Sequence, residues 1–142
     1  MAFYGFALAC VAACGSGDDD PGLSCLDNLP VSCTPSFPAS YDQIYNQVFQ
    51  QRCGTAGGGS SCHGSMGKKG GLDLSEPNAA YQQLLGSNGN PRVVPGDPKC
   101  SILVERLESA DANVRMPYGE APLSAGVRCA VQTWIQGGAA RE

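Results

Sequence analysis

The sequence predicts a small all-α domain of about four short helices joined by long loops. Apolar residues recur at helical spacing in several separate segments. The 19 glycines and 10 prolines among 142 residues indicate that much of the chain lies in turns. Eight cysteines supply a further means of holding such a loop-rich chain together, and they favour an oxidising compartment.

The first predicted helix covers Tyr41–Arg52, where one apolar stripe recurs at helical spacing: Tyr41, Ile44, Tyr45, Val48 and Phe49. Ser40 and Gln43 match a capping box, in which each side chain satisfies a backbone N–H of the other. From Cys53 to Gly71 glycines interrupt the chain throughout and no apolar period remains, which predicts a loop.

The second predicted helix covers Glu76–Gly86, with Ser75 as its N-cap, Pro77 in the first turn and Gly86 as its end. The third covers Cys100–Ser109. Asp97 and Pro98 begin it, and the residues expected to point inward are Ile102, Leu103 and Leu107.

The last predicted helix follows Ser124 as its N-cap and ends at Gly137 and Gly138, with Val127, Val131, Trp134 and Ile135 on its apolar face. Between the third and fourth helices lies a second loop, Asp111–Leu123. This loop contains Met116, and the proline that follows it disfavours helix there. Long loops inside a small domain usually carry function or wrap a ligand.

The N-terminus predicts export. Phe3–Cys14 is an apolar run that is too short to span a bilayer and is typical of a signal peptide. Val11–Cys14 resembles a bacterial lipobox, which predicts a signal peptide at 1–13 and a lipid anchor on Cys14; Cys10 fits less well. A buried N-terminal helix is the alternative.

The acidic, glycine-rich stretch Gly15–Gly22 predicts a flexible tether. The predicted organisation is therefore a tether with the Cys25/Cys33 loop at 14–40, followed by a folded domain at 41–142. We expect Cys25 and Cys33 to form a local disulfide, and Cys100 and Cys129 to join distant elements. The net charge of −4 excludes nucleic acid as a partner because no cluster of basic residues is present.

His63 is the only histidine, and it directly follows Cys62. Cys62-His63 is the second half of the C-x-x-C-H haem attachment pattern. The nearest upstream thiol is Cys53, and eight residues separate it from Cys62, whereas two separate the cysteines of the pattern. Three alternatives follow: both cysteines bond haem, Cys62 alone bonds it, or the two form a disulfide without haem.

Several further segments follow one another in a fixed order. They are the aromatic helix running into Cys53, then CHG (62–64), GGLDL (70–74), VVPGDPKCSILVERL (93–107), RMP (115–117), PLS (122–124) and WIQGGA (134–139). In this order they resemble class I c-type cytochromes, particularly the planctomycete-type single-haem group, and the resemblance covers roughly Tyr41 to Ala139. It implies a cytochrome c-like fold wrapped around one covalently attached haem c.

The resemblance further implies that His63 and Met116 ligate the iron and that Arg115 pairs with a haem propionate. Elimination also favours Met116, because Met66 is too close to His63 in sequence to reach the opposite face of the haem. A core role for Met116 and a solvated Arg115 are the alternatives. The residues implied to keep the porphyrin dry are Leu72, Leu74, Leu103, Leu107 and Trp134.

With both axial positions filled, the expected function is extracytoplasmic one-electron transfer between redox partner proteins, in the periplasm or at the cell surface, rather than enzymatic turnover of a small-molecule substrate. Lys68 and Lys69 could steer an acidic redox partner or serve only solubility. A haem-free, disulfide-stapled surface lipoprotein that acts as an interaction module is the alternative function. A haem-based sensor or peroxidase is a third.

Overall fold

The structure is a computed structural model that describes residues 25–30, 32–54 and 62–142. Within these ranges it contains four α-helices and no strand, which confirms the predicted all-α class: α1 (Tyr41–Ile44), α2 (Pro77–Leu84), α3 (Ile102–Glu108) and α4 (Ala125–Gln136). A 3₁₀ turn lies at Lys69–Gly71. None of the described helices has the length and apolar character that crossing a membrane requires.

The first helix begins where the sequence predicts but changes its winding. The Ser40 hydroxyl accepts from the Gln43 N–H at 3.4 Å, whereas the Gln43 side chain accepts from Gln47 Nε2 at 2.7 Å, so only half of the capping box forms. After α1 the chain continues as a π-helix over Tyr45–Cys53, and the Gly54 N–H closes it on the Phe49 carbonyl at 2.7 Å. The expectation of a regular α-helix to residue 52 was wrong, because the turns widen to five-residue bonds. All five residues of the predicted apolar stripe are nevertheless buried.

The start of α2 departs from the prediction and its end agrees. Pro77 occupies the first turn, but the N-cap is Glu76, because the Ser75 hydroxyl and N–H both bond the Asp73 carboxylate, at 2.5 and 3.0 Å. Ser75 as N-cap was therefore wrong. Gly86 ends the helix with φ +97°, a conformation that favours glycine, and a Cβ there would lie 3.0 Å from Pro91.

The third helix is shorter than predicted, since it begins at Ile102 instead of Cys100. The Asp97 carboxylate accepts from the Cys100 N–H at 3.1 Å, so it orders the turn before the helix rather than the helix itself. Val104 and Leu107 are fully buried, whereas Ile102 and Leu103 are half-buried. Val104 thus takes the inward position that the sequence assigned to Ile102.

The fourth helix agrees with its prediction at both ends. The Ser124 hydroxyl accepts from the Val127 N–H at 3.4 Å, and Gly137 closes the C-terminus. Val131, Trp134 and Ile135 are buried, and Val127 packs against the same core from its edge. This helix carries the long apolar face against which the rest of the domain packs.

An aromatic cluster joins the first helix to α2 and α4. The Tyr41 ring lies 5.0 Å from the Tyr81 ring and 5.6 Å from the Trp134 ring, centroid to centroid. The Tyr41 hydroxyl donates to the Pro77 carbonyl at 2.7 Å, which satisfies the one polar atom of this buried side chain. The first helix is consequently held in place immediately before the loop that carries His63.

The predicted Cys25–Cys33 disulfide was wrong. Cys25 is bonded to Cys100 and Cys33 to Cys129, with Cα–Cα distances of 4.2 and 5.8 Å. The sequence between Cys25 and Cys33 contains a proline and predicts a local turn, but in the structure this segment lies along the helical domain. Cys100 and Cys129 therefore do staple distant elements, each to the N-terminal segment rather than to the other.

Two backbone hydrogen bonds, one close to each disulfide, fasten this N-terminal segment to the helical domain. The Leu26 N–H donates to the Lys99 carbonyl at 2.9 Å, and the Ser36 N–H donates to the Gly126 carbonyl at 3.0 Å. A Cβ on Gly126 would lie 3.0 Å from the Ser36 Cβ, so a larger residue there would require the segment to move away from α4 by a few tenths of an ångström. The predicted signal peptide, the Cys14 anchor and the Gly15–Gly22 tether lie outside the described residues.

Candidate functional site

His63 lies in a loop that folds back onto the end of the first helix. Its N–H donates to the Cys53 carbonyl at 3.2 Å, and its carbonyl accepts from the Leu74 N–H at 2.6 Å. The Lys69 N–H donates to the Cys62 carbonyl at 2.7 Å, which closes the turn around the histidine. The backbone on both sides of His63 is therefore fixed by the protein.

The His63 side chain is half-buried, and its buried Nδ1 has no hydrogen-bond partner in the described part of the chain. Burial lowers the pKa of His63, and the charge of Arg92 acts in the same direction, whereas the backbone at Lys69 and Leu72 raises the pKa. Burial is the largest of these influences, so the neutral ring is favoured. A neutral imidazole with a buried nitrogen that no described protein group uses is suited to ligate a metal.

The second candidate loop carries Met116 and Arg115. Met116 is half-buried against the core, and its N–H donates to the Arg106 carbonyl at 2.8 Å, which fastens it to α3. Arg115 is half-buried as well, and its Nε is a buried donor with no partner among the described residues. Met66, in contrast, is 91% exposed, so of the two described methionines Met116 is the one that packs against the core.

An ion pair connects the end of the π-helix, just before the His63 loop, to the loop that carries Met116. Arg52 Nη2 lies 2.9 Å from Glu120 Oε2, and the Glu120 N–H donates to the Pro117 carbonyl at 3.3 Å. Arg52 directly precedes Cys53, whose carbonyl holds His63, whereas Pro117 directly follows Met116. The Arg52–Glu120 pair therefore links the residues just before the His63 loop to the residues just after Met116.

The two candidate attachment cysteines differ in state. Cys53 is a free thiol and Cys62 is disulfide-bonded. The alternative of a Cys53–Cys62 disulfide was wrong. A sulfur adds to a haem vinyl group only as a thiol, so attachment through Cys62 requires that its disulfide be reduced first.

Burial raises the pKa of the Cys53 thiol to about 12 from 9.0, against the weaker opposite influence of Arg52. We therefore expect Cys53 in the folded, haem-free chain to react with iodoacetamide at pH 8 about a thousandfold more slowly than in the urea-unfolded chain, because only the thiolate reacts. Peptide mapping of the alkylated chain against time measures both rates. Equal rates in the two states would show that the thiol is open to solvent.

The apolar residues expected around the site belong to one core. Leu72, Leu74, Leu107 and Trp134 are buried, and Leu103 packs against them from the edge. Of the two lysines beside the loop, Lys68 pairs with Asp73 at 3.1 Å, whereas Lys69 is exposed. Half of the predicted positive patch is therefore neutralised by the protein itself.

Sequence reasoning missed Arg92, which is 8% exposed and bonds the His63 loop. A lone arginine next to a pair of valines, in the stretch from Pro91 to Pro95, is the only sequence feature that could have indicated a buried role. Its donors could not be assigned to acceptors without the fold, because Gly70 is distant from it in sequence.

A comparison with protein-family models matches residues 60–118 to a family described as planctomycete cytochrome C. No curated protein and no solved structure matches the chain. The matched range includes Cys62, His63, Arg115 and Met116, and it confirms the resemblance over less than half of the chain. Among the described residues no group of three or more His, Cys, Asp or Glu side chains is placed to hold a metal ion.

Proposed function

We propose that the protein carries one electron on a covalently attached haem c, on the premise that residues 60–118, which match the planctomycete cytochrome C family model, belong to a cytochrome c-like domain. The family match and the all-α fold support a haem-binding electron-transfer domain. The ligand set, the attachment and the location of the protein are parts of this proposal.

The observation that carries the proposal is the buried, unpartnered Nδ1 of His63. A buried polar atom without a hydrogen bond costs about 1–3 kcal/mol, so native proteins rarely leave one unless it serves a bound group. His63 is also the only imidazole in the chain. His63 is therefore the proposed first axial ligand.

Met116 is the proposed second axial ligand. Its thioether is the half-buried methionine sulfur on the loop that Arg52 and Glu120 tie to the end of the π-helix, just before the His63 loop. Bound haem supplies reversible one-electron chemistry at its iron, and His/Met ligation favours a higher potential than ligation by two histidines. Two protein ligands leave no open position for a substrate, so the proposed function is electron transfer without enzymatic turnover.

Arg115 and the two cysteines complete the proposed site. The unpartnered Nε of Arg115 is a buried cationic donor, which fits a haem propionate. Cys62 is the proposed attachment residue next to His63. Cys53 is a second, since its carbonyl already bonds the His63 N–H and its thiol is free.

Cytochrome c domains of this kind are typically extracytoplasmic, which agrees with the disulfides at Cys25–Cys100 and Cys33–Cys129. We further propose that the protein is an exported lipoprotein anchored to the membrane through Cys14, in the periplasm or at the cell surface. Its proposed partners are redox proteins, and no nucleic acid or small-molecule substrate is expected.

One observation favours a second function. Cys62 is disulfide-bonded, and two described disulfides already staple the domain, so the chain could fold without haem. In that case the protein is a surface lipoprotein that acts as an interaction module. The two functions differ in whether the purified protein contains haem.

Intact mass spectrometry and absorbance decide between them. We expect the exported full-length protein to show sharp α and β bands when reduced, haem staining that survives a denaturing gel, and a mass that includes one haem. A mass equal to that of the polypeptide with its disulfides, together with no visible absorbance, contradicts electron transfer and supports the interaction module.

A further inference from the structure

Arg92 is a buried cation without a described anionic partner. It lies in the connection between α2 and α3 and is only 8% exposed. Nη2 donates to the Gly70 carbonyl at 2.5 Å and Nη1 donates to the Asn90 carbonyl at 2.7 Å. Longer contacts reach the Gln83 carbonyl and the Asn88 side chain, both at 3.4 Å. Every one of these acceptors is neutral, and no ion pair involves Arg92 within the described ranges.

The choice of an arginine is costly here, since a charge loses hydration when it is buried and neutral carbonyls compensate only in part. Burial accordingly lowers the pKa of Arg92. A neutral side chain could bond the same carbonyls at lower cost. The positive charge therefore requires a reason beyond the fold.

Through the Gly70 carbonyl, Arg92 bonds the turn that follows His63 in the loop. Gly70 directly follows Lys69, whose N–H donates to the Cys62 carbonyl at 2.7 Å immediately before His63. Gly70 and Gly71 have φ of +60° and +66°, so this turn has a left-handed backbone that favours glycine at both positions. Asn88 Nδ2 also donates to the Gly71 carbonyl at 3.1 Å, so the α2–α3 connection holds two successive carbonyls of the turn.

We infer that Arg92 positions the turn that closes the His63 loop and keeps a buried positive charge near it, which favours the reduced state of the proposed metal centre. The second half of this inference rests on the proposed function, and the first half does not. A nearby positive charge opposes the additional positive charge that oxidation creates, and low local polarity strengthens that effect.

Two variants separate the two roles. Arg92→Met removes the charge and all the hydrogen bonds, whereas Arg92→Lys keeps the charge and loses the fork that reaches two carbonyls at once. Arg141→Met is the matched control, because Arg141 also contacts polar groups, Asp42 and Asn78, but these lie on the first helix and α2.

Hydrogen exchange on the purified full chain tests the positioning role, whatever its haem content. We expect amides of residues 62–74 to exchange at least about tenfold faster in both Arg92 variants, while the amides of α4 keep their protection. Unchanged exchange in this segment of a folded Arg92→Met protein would overturn the positioning role. The Arg141→Met control should leave the segment unchanged.

Redox titration tests the charge. We expect Arg92→Met to shift the one-electron equilibrium toward the oxidised state by about tenfold, a fall of about 59 mV, and Arg92→Lys to stay near the wild-type potential. An equal fall in both variants, or no fall in Arg92→Met, would overturn the charge role. If the wild-type protein contains no haem, the proposed function fails with the charge role, while the exchange data still decide the positioning role.

Discussion

Replacing Met116 by alanine should convert a protein that does not bind carbon monoxide into one that does. In the proposed site the Met116 thioether fills the second axial position, and its removal leaves that position open to a small ligand. The potential should also fall, because axial ligands set haem potentials over a range of about 0.8 V and the thioether favours the reduced iron. Spectra of the reduced protein with and without carbon monoxide measure the first effect, and redox titration measures the second.

Met66→Ala is the matched control, since Met66 lies in the His63 loop but is 91% exposed. We expect this variant to keep the wild-type spectrum and potential. Carbon monoxide binding by the wild-type protein would favour the sensor or peroxidase alternative. An unchanged spectrum in Met116→Ala would remove Met116 from the iron and leave it a core residue packed against α3.

The sequence predicts those parts of the fold that depend on residues close together in the chain. Helix α4 has its cap, its apolar period and its terminal glycines within a continuous run of residues, and the structure reproduces it from Ala125 to Gln136. The apolar stripe of the first helix was likewise buried as predicted. Its π-helical winding was not predictable, because neighbouring residues at these spacings share one face in either kind of helix.

Features that depend on contacts between residues far apart in the chain could not be predicted from the sequence. Ser75 and Glu76 both suit an N-cap, and only the position of the Asp73 carboxylate decides between them. The pairing of Cys25 and Cys33 depended on where the N-terminal segment lies, and sequence spacing does not give connectivity. Arg92 acts through the carbonyl of Gly70, a contact that exists only once α2 has brought the two segments together.

The candidate site likewise combines residues that the sequence identifies with contacts that only the fold shows. His63, Met116 and Arg115 were identified by motif and resemblance, and their roles at a haem stay predictions. The structure adds two observations that no motif contains. These are the unpartnered buried Nδ1 of His63 and the Arg52–Glu120 pair between the end of the π-helix and the loop that carries Met116.

Removing the Cys33–Cys129 disulfide should destabilise the domain severely. The bond closes a sequence separation of 96 residues, for which loop-closure entropy predicts about 4–5 kcal/mol, within the range of about 2–5 kcal/mol typical of small exported domains. A domain of this size is stable by about 5–15 kcal/mol, so the loss is a large fraction of the total. Urea unfolding of Cys33→Ala/Cys129→Ala, followed by circular dichroism, measures the free energy of unfolding.

The second disulfide provides the comparison that gives this experiment its meaning. Cys25–Cys100 closes a separation of 75 residues, and the two loop lengths alone predict costs that differ by only about 0.2 kcal/mol. Cys129, however, is 1% exposed within α4, whereas Cys100 is half-buried in a turn. Because alanine at residue 129 also leaves a cavity in the core, we expect Cys33→Ala/Cys129→Ala to cost at least about 1 kcal/mol more than Cys25→Ala/Cys100→Ala. Equal losses would show that both bonds act through the unfolded chain alone, and no loss in either variant would mean that the N-terminal segment does not stabilise the helical domain.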